Sequence, residues 1–308
     1  MMTSLCTAYW QAILAQGICV GIGSGCLFIP SVAIVSTYFS TKKSLATGIA
    51  ASGSSLAGII YPIVFHRLEP KIGFPWATRV IAFIMLGTLL IPLAVMRVRI
   101  MPAQKRSLFD ETALKELPFM LFTLGVFFGF IGIYIPFFYM PSFALRKIPG
   151  ITAEFSVYTI AILNAASTLG RIVPNYVADK TGPLNMIVPC ALISAVLAYC
   201  WVAVENKGGL IVFCILYGFF TGSFVSLPPT TIVTLSPRLE IVGTRMGMVF
   251  SACGLGLLIG SPVAGAILGL GNDFLGLQLF CACTIVASAA ILYPARVAKA
   301  GWRFITWA

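Results

Sequence analysis

Arg171 stands inside an apolar segment, 155–177, that is long enough to cross a bilayer. A full charge is costly in hydrocarbon, so an ionisable residue at membrane depth points to cargo binding or proton movement. Read as a helix, the segment puts Asn164, Ser167, Thr168, Arg171, Pro174 and Asn175 on one face, at spacings of three, four and seven. Ile160, Leu163, Leu169, Ile172, Val173, Tyr176 and Val177 cover much of the rest. A polar stripe with one cation fits a cavity wall. The guanidinium could give two parallel hydrogen bonds to a carboxylate, with Asn164, Ser167 and Asn175 orienting the remainder of the substrate. The competing reading has Arg171 snorkelling toward water, since Asp179 follows eight positions later.

Little else in the chain carries chemistry. All nine acids, Glu69, Asp110, Glu111, Glu116, Glu154, Asp179, Glu205, Glu240 and Asp273, fall in loops or at helix ends. The single histidine, His66, lies at the end of an apolar segment and reads as interfacial. The nine cysteines show no metal-ligand spacing, and Cys281 and Cys283 point to different helix faces. No metal and no cofactor are expected. Gly21, Gly23 and Gly25 resemble a phosphate loop only superficially, because no Gly-Lys-Ser follows. Without a carboxylate pair or a nucleophile beside a base, an enzyme is disfavoured. Phe219, Phe220 and Phe224 are either cavity lining or packing.

The elements that must position Arg171 are membrane helices. The chain has 308 residues, is 59% hydrophobic and only 9% charged, and has a mean hydropathy of +1.00. A soluble domain carries roughly 25% charged residues. Nine apolar segments are predicted to span the bilayer: 12–37, 46–65, 75–96, 117–141, 155–177, 184–204, 208–235, 243–270 and 273–295. Lys42, Lys43, Arg97, Arg99, Lys105, Arg106, Lys115, Lys180, Arg238, Arg245, Arg296, Lys299 and Arg303 fall in one set of connections. Only Arg67, Lys71, Arg79, Arg146, Lys147 and Lys207 fall in the other. The richer set is therefore expected to face the cytoplasm, with the C-terminus. This topology accounts for the net charge of +11 and removes nucleic acid as a partner. The expected division is 1–96 (three spans), a cytoplasmic loop 97–116, and 117–308 (six spans).

The turn after Arg171, Asp179-Lys180-Thr181-Gly182, is short and charged. Asp179 could pair with Arg238 or Arg245 across the bundle, or the turn could simply be solvated. Lys42 and Lys43 are candidates for a gate or for topological anchors. Gly48, Gly53 and Gly58, and later Gly254, Gly256 and Gly260, allow close helix approach. The first two and the seventh and eighth spans share a pattern: a Pro-bearing helix, a basic turn, then a Gly-rich helix ending near proline. Pro30 to Pro62 covers 32 positions and Pro229 to Pro262 covers 33. Two halves in one orientation make a parallel repeat. The later pair sits fourth and fifth of six, so the first half is expected to lack its first three helices.

The stretch from Ser31 through Phe39 and Lys42 to Gly53 resembles the fourth-to-fifth helix junction of monocarboxylate-transporter-like major facilitator proteins, and their fungal members most. Residues 73–79 resemble the entry to their sixth helix, and 164–185 their eighth helix and the turn after it. The resemblance implies an all-α membrane protein of the major facilitator fold with nine of twelve helices present. It implies alternating access, a small, anionic substrate taken from the lipid-bounded central cavity, and proton coupling. It places substrate carboxylate on Arg171. The family's proton-coupling aspartate falls on Ser167, so that pair is absent. A conformational latch falls on Asp179, Lys180 and Gly182, with Arg245, Lys42 and Lys43 beside it. The function expected is secondary transport of monocarboxylate-like organic anions, in the plasma membrane. The alternatives are export of a fungal secondary metabolite and a transport-inactive truncated protein.

Overall fold

The computed structural model describes residues 1–97, 109–271 and 273–301. Arg99, Lys105, Arg106, Arg303 and most of the 97–116 connection lie outside the described residues. Among those described, every regular element is helical. Helix α1 (Tyr9–Ala12) continues through a π-helical stretch (Ile13–Cys19) into α2 (Val20–Tyr38), and α3 (Lys43–Val95) follows. After the central connection come α4 (Leu117–Gly132), α5 (Ile135–Lys147), α6 (Ala153–Thr181) and α7 (Pro183–Cys200). Helices α8 (Lys207–Ser226), α9 (Pro228–Leu235), α10 (Val242–Gly271) and α11 (Leu275–Ala300) complete the chain.

Local signals set the helix ends. Thr152 caps α6 by accepting from the Phe155 amide at 3.2 Å, and Asn206 caps α8 by accepting from the Gly209 amide at 2.7 Å. Prolines occupy the first turns of α4, α7 and α9, where a missing N–H costs nothing, and Pro136 in the first turn of α5 marks its break from α4. Gly182 ends α6 with φ 95°, a conformation open to glycine.

Eight helices among the described residues are long and apolar enough to cross a membrane, where the sequence predicts nine segments. The difference lies in α3. Its 53 residues would span about 80 Å as one rod, far beyond a hydrocarbon core of about 30 Å. Gly73, with φ 75° and ψ 163°, breaks it into two arms.

Side-chain contacts show which helix ends lie together. At one end, rich in lysine and arginine, the Tyr38 hydroxyl donates to the Arg97 carbonyl at 2.7 Å. There Asp179 meets the start of α3, and Arg245 meets Asp110 and Glu116. At the far end Arg79 donates to Ser4, Arg67 pairs with Glu154 at 3.0 Å, and Lys147 pairs with Asp273 at 2.7 Å. So α3 leaves the basic end, reverses at Gly73 and returns.

The buried apolar core sits mainly in 113–295, as one cluster around Phe119, Phe122 and Phe224 and another around Phe143, Trp201 and Tyr217. Helices pack closely through small residues. A Cβ on Gly256 would lie 2.6 Å from the Phe127 carbonyl, and one on Gly260 would strike that of Ile131. Gly48 meets the backbone of α6 in the same way and Gly58 meets its Asn164 side chain, whereas Gly53 and Gly254 face open space.

Candidate substrate-binding cavity

Helix α6 is held between α3 and α8, and Arg171 lies near the middle of that sandwich. Its packing is close because glycines remove side chains at the crossings. A Cβ on Gly48 of α3 would strike the Arg171 carbonyl, and a Cβ on Gly170 would strike the Phe219 carbonyl of α8. Arg171 is 8% exposed. Its Nε donates to Ser167 Oγ at 3.4 Å and its Nη1 to the Ala51 carbonyl at 2.7 Å. Nη1 also donates to Ser54 Oγ. Nη2 has no protein partner, and no carboxylate pairs with the guanidinium, among the described residues. The charge faces a cavity of about 460 Å³, within the usual range for small-molecule sites. Phe28, Phe130, Tyr134 and Phe250 supply aromatic wall, and Thr47 and Ser226 add hydroxyls.

Of the predicted substrate contacts, Arg171 alone lines this cavity. The others stitch helices together. Asn164 Nδ2 donates to the carbonyls of Ile160 at 3.0 Å and Gly58 at 3.4 Å. Ser167 Oγ accepts from Ser55 Oγ at 3.2 Å. Asn175 is fully buried and donates to the Arg171 carbonyl at 2.7 Å and to Ser226 Oγ at 2.6 Å. The shared face was legible, but neighbouring helices α3 and α8 occupy most of it. Phe219 and Phe220 pack on each other, and Phe224 is buried against Phe130, so these rings are also packing.

Tyr134 was missed by sequence reasoning, because one tyrosine in a Phe-rich run reads as packing. It sits where α4 gives way to α5. Pro136 has no N–H for the Gly132 carbonyl, so the helix is interrupted there. Two side chains cover the interruption: Cys281 Sγ donates to the Gly132 carbonyl at 3.4 Å, and Tyr217 Oη to that of Ile133 at 3.0 Å. Freed backbone groups at membrane depth need such partners.

The predicted latch residues separate into two devices. Asp179 does not pair with Arg238 or Arg245. Its Oδ1 accepts from the Ser44 amide at 2.8 Å and its Oδ2 from the Leu45 amide at 2.9 Å, so the end of α6 caps the start of α3. A carboxylate there meets unpaired amides and the positive end of the helix dipole. Lys180 lies over the Tyr176 ring at 4.6 Å, and Gly182 supplies the turn. Lys42 is exposed and Lys43 half-buried at the same α3 start. Arg245 is fully buried elsewhere. Its Nε meets Asp110 at 2.8 Å, its Nη1 and Nη2 meet Glu116 at 2.8 and 2.6 Å, and Nη1 also meets the Leu235 carbonyl at 3.0 Å. Phe119 stacks below, 5.2 Å from its guanidinium carbon. His66 is exposed at the far end of the first α3 arm.

The chain is similar to proteins whose names state related roles. It is 46% identical over 294 residues to the MFS-type transporter dbaD of Emericella nidulans, covering 95% of this chain and 66% of that protein. It is 37% identical to the aspyridones efflux protein apdF of the same organism, over 96% of this chain and 61% of that protein. It is 34% identical to the agnestins efflux protein AgnL12 of Paecilomyces divaricatus, over 96% and 68%. The chain thus spans about two-thirds of the length of these relatives. Among solved structures, the transporter FucP in its outward conformation superposes with a TM-score of 0.69 at 15% identity, over 95% of this chain and 78% of that one. That likeness shows the fold alone. The family model described as Major Facilitator Superfamily matches residues 1–238. With helices reversing at each end, a cavity at their centre and these relatives, the chain belongs to the Major Facilitator Superfamily of membrane transporters.

Proposed function

We propose that the protein is a secondary transporter that exports a small organic anion by alternating access. The observation that carries this reading is Arg171, a buried cation with no counter-ion among the described residues, facing a cavity whose wall includes Phe28, Phe130, Tyr134 and Phe250. Such a charge is stabilised most by a cargo that brings the opposite one. Export rather than uptake rests on apdF and AgnL12, both efflux proteins by name. The resemblance to monocarboxylate transporters supports the pairing of arginine with an anion. The basic end is assigned to the cytoplasm by the positive-inside rule, in the plasma membrane. The Asp179 cap and the Gly48 crossing join α3 to α6 at that end. Opening a path there for cargo means undoing that seam, so the cap acts as the latch.

The test is uptake of radiolabelled 2-naphthoate into inside-out vesicles bearing the protein. Arg171→Ala is expected to lower uptake at least tenfold, because losing one partner of a desolvated charge pair costs about 2–5 kcal/mol. Arg171→Lys keeps the charge but loses the hold on Ala51 and Ser54, and is expected to fall between. Unchanged uptake in both variants overturns the anion site.

A further inference from the structure

We propose that Tyr134 is a second cargo contact that sets specificity, and that with Arg171 it selects an aromatic monoanion carrying a further oxygen acceptor. The proposal rests on the anion-exporter reading above.

The first reason is what Arg171 has left to offer. Nη1 is held by Ala51 and Ser54, and Nε leans on Ser167. The cargo meets a charge and one free nitrogen, not a whole fork. A single contact of that kind fixes charge but not orientation, because two parallel bonds are what give arginine its geometric selectivity. Orientation then needs another donor on the cavity wall.

Tyr134 supplies it. Its hydroxyl has no hydrogen-bond partner among the described residues, and it lines the cavity that Arg171 faces. A tyrosine hydroxyl closed off from solvent ordinarily finds a partner, whereas that of half-buried Tyr134 opens on the cavity. Tyr217, in the same bundle, does so by donating to the Ile133 carbonyl. The contrast is local: Tyr217 secures the interruption from behind, and Tyr134 emerges from it into the cavity. Its ring packs on Phe130 at 5.8 Å between centroids, work that phenylalanine would do as well. The hydroxyl is the part that packing leaves without a purpose.

The remaining wall defines the body of the cargo. Phe28 and Phe250 meet edge to face, with centroids 5.0 Å apart, and Phe130 lies on the same cavity. Aromatic walls favour a planar ring through stacked and edge contacts. Cation, hydroxyl donor and aromatic walls together describe a ring acid bearing a carbonyl or ether oxygen.

The experiment is equilibrium binding to the purified full chain in lipid nanodiscs, with three probes of similar size: chromone-2-carboxylate, 2-naphthoate and decahydro-2-naphthoate. The chromone adds ring oxygens to the aromatic acid, and the decalin removes the aromaticity. The unaltered protein is expected to bind the chromone about five- to tenfold more tightly than the naphthoate, the worth of one hydrogen bond. Decahydro-2-naphthoate should bind more weakly than both. Tyr134→Phe is expected to abolish the preference for the chromone while leaving naphthoate affinity within twofold. Arg171→Gln should weaken both aromatic acids at least tenfold. Equal weakening of chromone and naphthoate by Tyr134→Phe would make the residue a packing element and overturn the proposal, as would an undiminished preference. Equal binding of the decalin acid overturns the aromatic requirement. Loss of discrimination in Tyr134→Phe with no effect of Arg171→Gln overturns the anion site instead, and absence of binding by any probe overturns both.

Discussion

Two polar side chains next to each other on α6 do opposite work. Arg171 is kept partly unsatisfied, while Asn175, one turn later, is consumed by structure. Its amide nitrogen ties the Arg171 carbonyl to Ser226 of α8, in a position fully closed to solvent. Removing it takes away the donor to Ser226, whose hydroxyl keeps only its own bond to the Ser223 carbonyl at 3.2 Å, and leaves a small void. Asn175→Ala is therefore expected to destabilise the protein by about 1–3 kcal/mol, read as a lower thermal unfolding midpoint in detergent. The sequence showed that Arg171 and Asn175 share a face, because helix periodicity is 3.6. It could not show that the face is filled by α3 and α8 except at Arg171, since occupancy depends on which glycines of distant helices stand opposite. Tyr134 stayed hidden for a related reason. Its importance comes from Pro136 together with Tyr217 and Cys281, which lie 83 and 147 positions away.

The spans themselves were legible, since apolar length is a direct requirement of the bilayer. The attachments at their ends were not. Asp179 reaches across 135 positions to cap α3, and Arg245 across 135 to Asp110. An acid in a loop reads as solvated whichever amide it finds. Asp179→Ala is expected to free the Ser44 and Leu45 amides at a cost of about 0.5–2 kcal/mol. Hydrogen exchange over 43–46 should accelerate accordingly, and an unchanged rate would remove the latch role. The residue 109–116 strap is a separate attachment. The Thr112 hydroxyl, and after it the Arg245 guanidinium, hold the Asp110 carboxyl below its ordinary value. A depressed carboxylate stabilises above its unfolded pKa and loses that contribution as pH falls through its lowered one. The strap should therefore stay docked from neutral pH down to about 3.9 and release only below it. A fluorophore at Phe109→Cys would report the release. Arg245→Ala leaves Asp110 and Glu116 facing each other without their cation, and should loosen the same fluorophore at neutral pH.

Reversal at Gly73 makes the whole chain a set of helices with two distinct ends, and that arrangement is open to direct labelling. In a background with the native cysteines replaced by serine or alanine, single cysteines at Lys43 and Thr181 should react with a membrane-impermeant maleimide from one face of sealed vesicles. A cysteine replacing Glu69 should react only from the other. Labelling of all three from one face would contradict the reversal. The placement of charge has a further, electrical consequence. Among the described residues the acids sit at helix ends, so the cavity wall they form carries one positive charge, Arg171, which an anionic cargo would cancel. On the export reading proposed above, the loaded site moves through the membrane field as a neutral pair, and the empty site returns as a cation. An inside-negative potential pulls that return inward, at about 2.3 kcal/mol per 100 mV for a full charge. On the anion-export reading proposed above, each cycle carries one negative charge outward, and the resting voltage of the membrane becomes a driving force for that export. In right-side-out vesicles clamped with potassium and valinomycin, turnover should rise with inside-negative voltage and current should accompany flux one charge for each anion.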